Sequence, residues 1–303
     1  MKLIHTYGKS AKEAERVLRQ IEGRSGAATS RLEPAVKRTI AAIRRGGDSA
    51  LRRYAERFDG LAQNASLSVS REEMAAAWEQ TPGELRKAMR TAAANIRRFA
   101  KWQMPRSWMR KSQGVELGQR CLPLASVGCY VPGGRYPLPS TLLMTTLPAQ
   151  VAGVERIVVV SPRPAKETLA AAHLAGVQEF YRIGGAQAIA TLAYGTASVP
   201  RVDKIVGPGN LYVTTAKKLV AFDCGIDMLA GPTEIVVASE NGDPRWIASD
   251  LVAQSEHDPE TLAVLITSNA ALAQTVASEV KKQSGENKIA TQALGKNGFI
   301  FLT

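Results

Sequence analysis

Cysteine is scarce in these 303 residues: Cys121, Cys129 and Cys224 are the full complement, scattered and without CxxC spacing. That excludes a disulfide framework and a cysteine zinc knuckle, and the expected compartment is a reducing cytoplasm. Histidine is as sparse, at three residues. No apolar run approaches the length of a membrane span. Met1–His5 lacks the hydrophobic centre of a secretory signal. Acidic residues number 27 against 39 basic ones, a net charge of +12. No basic stripe is interleaved with aromatic residues, which sets nucleic acid aside as a partner. The basic pairs Arg44-Arg45, Arg52-Arg53 and Arg97-Arg98 stand among acids at helical spacing, as on a solvated helix face. There is no GxGxxG fingerprint and no Walker A lysine; Gly207-Pro-Gly209-Asn-Leu-Tyr212 lacks the third glycine.

What is present is a globular chain, 45% hydrophobic, long enough for two domains. Residues 10–120 are rich in Ala, Leu, Arg and Glu at helical spacing. The spacing predicts helices over 11–20, 32–45, 48–58, 71–80 and 82–103, with breaks at Gly46-Gly47, Asp59-Gly60 and Thr81-Pro82-Gly83. Residues 108–122 have more strand character. From 125 onward strands and helices alternate strictly, the signature of parallel α/β layers. Strands are expected at 125–130, 156–161, 178–183, 202–206, 223–228, 234–239 and 262–267, with helices at 140–153, 166–176, 186–195, 210–220, 244–257 and 269–282. The turn Ala230-Gly-Pro-Thr233 is too short for a crossover helix, so the chain is expected to change sheets near 231. Gly298–Thr303 reads as a strand.

Three loops follow strands of the first sheet. Val131-Pro-Gly-Gly-Arg-Tyr-Pro-Leu-Pro139 leads to Ser140, expected to cap a helix. Gly184-Gly185-Ala186-Gln187 and Gly207-Pro208-Gly209-Asn210 each start a helix. In open α/β sheets such loops lie at the carboxyl ends of strands, where ligands bind. Gly128, Gly133 and Gly134 permit positive φ and close backbone approach. On one rim, Tyr130 would stack on a ring, Gln187 and Asn210 would hydrogen-bond a ribose, phosphate or amide, and the helix starts at 186 and 210 would favour an anion. Each loop alone is also an ordinary βα turn; three on successive strands raise a nucleotide site to an equal reading.

A second candidate lies on the helix that begins at Asp243-Pro244. Near its end Gln254 and His257, three apart, share a face. They read either as two ligands of a divalent metal, or with His257 simply complementing the helix C-terminus.

Taken in order, these segments resemble the histidinol dehydrogenase family. The resemblance rests on Gly47-Asp-Ser-Ala-Leu51, Phe58-Asp-Gly60, Val127-Gly-Cys-Tyr-Val-Pro-Gly-Gly134, Pro139-Ser-Thr141 and Gly184-Gly-Ala-Gln-Ala-Ile189. It continues through Val202-Asp-Lys-Ile-Val-Gly-Pro-Gly-Asn210, Asp227-Met-Leu-Ala-Gly-Pro-Thr-Glu234 and Gln254-Ser-Glu-His257. It implies an α/β fold of two Rossmann-like parallel-sheet units with a helical N-terminal region. The expected divisions are 1–122, helical and packing with the second unit; 123–231, binding NAD; and 232–303, the zinc and substrate side. It implies a cytoplasmic homodimeric oxidoreductase of histidine biosynthesis, binding neither nucleic acid nor membrane, that oxidises L-histidinol to L-histidine through histidinal with NAD and zinc. Tyr130, Gln187 and Asn210 then correspond to NAD contacts. Thr233 corresponds to a substrate-contacting hydroxyl, and Gln254 and His257 to zinc ligands that also touch substrate.

Two departures accompany the resemblance. Arg135-Tyr136 stand where many members carry smaller residues. The family's catalytic Glu-His pair and remaining zinc ligands lie downstream of the strand at 298–303. The chain is therefore expected to be a C-terminally incomplete member with little dehydrogenase activity, its catalytic residues falling beyond Thr303. A paralogue acting on another small polar alcohol and an inactive nucleotide-binding fragment are the alternatives.

Overall fold

A computed structural model describes residues 1–62, 64–133, 137–229 and 233–303, with backbone alone for residues 9 and 24–29. Gly134, Arg135 and Tyr136 of the first loop, and Ala230, Gly231 and Pro232 of the expected short turn, lie outside the described residues. The elements in chain order begin with β1 (Lys2–His5), α1 (Ala11–Glu22), α2 (Arg24–Tyr54), α3 (Arg71–Glu79), α4 (Gly83–Trp102), β2 (Trp108–Ser112) and β3 (Val115–Gln119). Next come β4 (Ser126–Tyr130), α5 (Pro139–Val151), β5 (Arg156–Val160), α6 (Lys166–Ala175), β6 (Glu179–Tyr181), α7 (Gly185–Tyr194), β7 (Lys204–Val206), α8 (Leu211–Val220) and β8 (Gly225–Ile226). The last are β9 (Glu234–Ala238), α9 (Pro244–Ser255), β10 (Leu262–Thr267), α10 (Ala270–Ser284), α11 (Lys288–Asn297) and β11 (Gly298–Leu302). The chain forms two compact units, residues 31–230 and residues 1–30 with 231–303.

The larger unit is built on a five-stranded sheet in the order β6-β5-β4-β7-β8, every pair parallel. β4 is first in sequence yet lies between β5 and β7, so the order reverses there, the topological switch point of a doubly wound sheet. Successive strand residues feed opposite cores. Val158 and Val160 of β5 join Ile43, Leu51, Ile189, Leu192 and Val213, whereas Val159 joins Met74, Trp78, Leu142 and Phe180. One face is covered by α2, α7 and α8, the other by α3 to α6.

These cores correct the expected grouping of residues 1–122 with the second unit. Ile43 and Leu51 of α2 and Met74, Trp78 and Met89 of α3 and α4 bury their apolar stripes against the first sheet. Only residues 1–30 join the second unit. Local signals are otherwise followed closely. Gly47 takes φ +49 and breaks α2, Gly60 closes a π-type turn at Ala55–Asp59 in the left-handed conformation, and Ser70 with Glu73 forms a reciprocal capping box on α3. Ser140 does not cap α5: Leu138 precedes that helix, and Pro139 fills its first position. β2 and β3 pair as an antiparallel hairpin with every residue exposed. The basic side chains of Arg44, Arg45, Arg98 and Arg110 are exposed.

The smaller unit holds a four-stranded parallel sheet in the order β1-β11-β10-β9. β11 is buried throughout and pairs on both sides, with Lys2–His5 on one edge and β10 on the other. α9, α10 and α11 cover one face through Leu251, Val276 and Leu294, and α1 covers the other through Ala14 and Val17. Neither β1 nor α11 is signalled by the sequence pattern read above. Four residues are too short a run to show periodicity, and Lys288–Asn297 carries Gly295 and mixed polar residues.

Cys129 and Cys224 are buried, and burial pushes their thiols up to about 12 and about 11 respectively. Cys121 is only half-buried. The expected outcome of titration with a thiol-reactive disulfide at mildly alkaline pH is one fast-reacting group, Cys121, abolished by Cys121→Ser, with two more appearing only in denaturant. Rapid reaction of all three in the folded chain would contradict the packing of β4.

Candidate functional site

The loops after β4, β5, β6 and β7 all leave the carboxyl end of one parallel sheet. They are packed so tightly that side chains are excluded. A Cβ on Gly133 would overlap the Pro162 carbonyl oxygen, one on Gly184 would lie 2.5 Å from the Pro162 ring, and one on Gly207 would overlap the Tyr130 carbonyl oxygen. Gly207 also takes φ +114, whereas Gly128 and Gly133 do not use positive φ. Gly128 serves helix packing instead: its Cβ would lie 2.9 Å from Leu192.

Tyr130, at the end of β4, is 3% exposed, so its ring is a core group and not the open stacking face expected from sequence. Its hydroxyl accepts the Gly185 N–H at 3.1 Å. Burial first, and the nearby Asp59 carboxyl as well, push the phenol up to about 12 against the favourable Gly185 contact. Tyr130 is therefore a neutral brace tying the first loop to the start of α7.

Gln187, in the first turn of α7, is 3% exposed, and its Nε2 donates to Asp59 Oδ2 at 3.1 Å. The same oxygen accepts the Gly184 N–H at 3.0 Å. Asp59 is 5% exposed; burial raises its pKa, opposed by those two donors and by the charge of Arg163. Asp59 is a site residue that sequence reasoning passes over. Its only signal is Phe58-Asp59-Gly60, read as a helix stop, because a chain pattern does not reveal that a carboxylate turns inward.

Asn210 is the N-cap of α8: its Oδ1 accepts from Tyr212 N–H at 3.0 Å and Val213 N–H at 3.2 Å. Among the described residues the Nδ2 donors have no hydrogen-bond partner. Beneath this loop, buried Lys217 donates to the Gly207 carbonyl at 2.9 Å and is ion-paired with Asp227, whose other oxygen accepts the Gly207 N–H at 2.7 Å. Lys217 and Asp227 are the second pair that the sequence leaves unread, one inside a helix and the other just past β8.

These contacts narrow the expectation that helix starts at 186 and 210 favour an anion. Gly184 N–H, Gly185 N–H, Tyr212 N–H and Val213 N–H are already taken by protein oxygens, and one of those oxygens belongs to a carboxyl group. Among the described residues the rim also offers an amide acceptor at Gln187, amide donors at Asn210 and the exposed Arg163 on the loop after β5. The amides suit the hydroxyls and carboxamide of a dinucleotide.

In the smaller unit, Gln254 is half-buried and His257 exposed, one turn apart at the end of α9, with the His257 N–H donated to the Gln254 carbonyl at 3.3 Å. Their side chains offer one oxygen and one nitrogen of the class that zinc accepts. Among the described residues no three His, Cys, Asp or Glu side chains gather as a metal cluster. Thr233 precedes β9, half-buried, and its carbonyl accepts the Leu262 N–H at 3.0 Å.

A family model described as histidinol dehydrogenase matches residues 22–303. The chain is 49% identical over 261 residues to a histidinol dehydrogenase of Synechococcus sp., covering 83% of this chain and 60% of the relative. It is 50% identical over 280 residues to one of Geobacillus kaustophilus, covering 89% and 66%. The crystal structure of histidinol dehydrogenase from Elizabethkingia anophelis superposes with a TM-score of 0.83 at 33% identity, covering 90% of this chain and 65% of that one. The chain thus spans about 60–66% of the length of these relatives.

The tight rim predicts a sharp contrast between glycines. Gly207→Ala is expected to cost about 2 kcal/mol or more in urea denaturation, through strain at positive φ and overlap with Tyr130. Gly295→Ala, inside α11 with nothing within 4 Å of the new methyl, is expected to be neutral or to stabilise by up to about 1 kcal/mol. Equal effects would contradict the interlocked rim.

Proposed function

The chain belongs to the histidinol dehydrogenase family, and on that footing we propose that it carries the NAD-binding portion of an oxidoreductase that converts L-histidinol to L-histidine through histidinal. The observation that carries this reading is the neutral amide pair, Gln187 and Asn210, on loops of a sheet whose strand order reverses at β4. When bound, NAD supplies the hydride acceptor. The protein's part is to hold it in one place. Tyr130 and Asp59 fix the start of α7, Lys217 and Asp227 fix the loop before α8, and Gln187 and Asn210 hydrogen-bond the dinucleotide between them. A rim with its own hydrogen bonds satisfied reorganises little on binding, so ligand binding is not spent on ordering loops.

On the same reading, Thr233 contacts the substrate's polar groups, and Gln254 and His257 are two of the ligands of a zinc ion that also touch substrate. Two neutral donors do not complete a zinc shell. The homodimer and the cytoplasmic setting come to this chain as part of the same proposal.

Two measurements test it. Calorimetric titration of the 303-residue chain with NAD is expected to saturate, and Gln187→Ala and Asn210→Ala are each expected to weaken binding about tenfold, one hydrogen bond's worth. No saturation at millimolar NAD, or variants that bind as the parent does, would contradict the reading. In competition with a chromogenic chelator, His257→Ala is expected to weaken zinc uptake about tenfold or more. An unchanged zinc affinity would remove His257 from the ligand set.

A further inference from the structure

We propose that Asp59 is a positioning residue that sets which atom of the Gln187 amide faces the ligand, so that the α7 end of the rim accepts a hydrogen bond from a neutral donor on the dinucleotide. The inference rests on the cofactor reading above and specifies its chemistry. A glutamine amide is symmetric in shape, and its oxygen and nitrogen are assigned by their partners. Here the partner decides. Asp59 Oδ2 accepts the Gly184 N–H at 3.0 Å, and as a carboxylate it has only acceptors to offer, so the Gln187 atom 3.1 Å from it is the donating Nε2. The reverse orientation would set two acceptors against each other in a buried place. Gln187 is too buried to swing away, and it is hemmed in from the other side. A Cβ on Gly185 would lie 2.9 Å from Gln187 Oε1, so only glycine leaves room for the amide in this pose.

The consequence is a polarity at the α7 end of the rim. With one Nε2 hydrogen held by Asp59, Oε1 is the acceptor of the Gln187 side chain turned away from the carboxyl, beside the second Nε2 hydrogen. Two N–H groups at the start of α7, those of Gly184 and Gly185, are taken by Asp59 and Tyr130. A phosphate set against Gln187 Oε1 would meet an acceptor where it needs a donor. The dinucleotide groups that fit are an O–H of a ribose or the N–H of the nicotinamide carboxamide, the shared chemistry being a neutral donor.

The experiment is a double-mutant cycle on NAD affinity with the 303-residue chain, with thermal denaturation of each variant alongside. Asp59→Ala is expected to weaken NAD about tenfold. Asp59→Asn is expected to stay within about threefold, because the side-chain amide oxygen it introduces accepts the same two N–H groups. The double variant Asp59→Ala with Gln187→Ala is expected to bind no more than about threefold more weakly than Gln187→Ala alone, since Asp59 acts through that amide. Losses that multiply, or Asp59→Ala binding as the parent does, would overturn the proposal. ADP-ribose in place of NAD separates the two donors: loss on Gln187→Ala that persists assigns a ribose hydroxyl, and loss that vanishes assigns the carboxamide. A parent chain that binds no NAD overturns the cofactor reading and this proposal together, whereas NAD binding with no coupling overturns this proposal alone. Should Asp59→Ala fail to fold, proton exchange at the Gln187 side-chain amide of the parent decides. One Nε2 proton protected from solvent supports the proposal, and both exchanging like free glutamine overturns it.

Discussion

Contacts too close to admit a side chain hold the candidate site together. Gly207 lies over the Tyr130 carbonyl, Gly133 and Gly184 meet at Pro162, and Gly128 lets α7 settle on β4 through Leu192. Interiors at this density do not deform continuously, so the loops after four strands behave as one body, referenced to β4. The rest of the site follows from that constraint. Once the loops are locked, their backbone donors must be satisfied locally, and Asp59, Tyr130, Asn210 and Asp227 do so. What is left for a ligand is the small set of amide groups that the locking does not consume.

This also accounts for a nucleotide-type sheet without a glycine fingerprint. In the GxGxxG design the glycines bare a helix N-terminus so that it can take a pyrophosphate. Here the glycines serve loop-against-loop and helix-against-strand packing, and side-chain oxygens take part of the N–H groups at the helix starts. Among the described residues the charges at this rim are the Asp59 carboxyl, the Lys217–Asp227 pair and the exposed Arg163. The sheet order fixes where a ligand sits, and the amides determine which of its groups are recognised.

The alternation of strands and helices after residue 125 is legible in the chain because parallel strands buried on both faces read as unbroken β-branched runs, Arg156–Val160 being the clearest. The three loops are legible because Gly and Pro punctuate them. Tertiary choices are not. The apolar stripes of α2 to α4 announce that they must be buried without naming the sheet that buries them, so of the expected division 1–122 only residues 1–30 fall with the second unit. Tyr130 reads as a ring at a strand end, and only the packing of α7 shows that its hydroxyl is spent on Gly185. Asp59 reads as punctuation between a helix and Gly60, since nothing in Phe58-Asp59-Gly60 says that the carboxyl reaches residues more than a hundred positions away. β1 escapes notice because four residues gain strand character only from pairing with β11.

The central claim is that a dinucleotide lies across the carboxyl ends of β4 and β7 and is recognised through neutral amides. A crystal structure of this chain soaked with NAD tests it most directly. The account predicts a ligand oxygen or nitrogen within hydrogen-bond distance of Gln187 Oε1 and of Asn210 Nδ2, with Asp59 still bonded to Gly184 and Gln187. A pyrophosphate seated on the first N–H groups of α7, with Asp59 displaced, would contradict it.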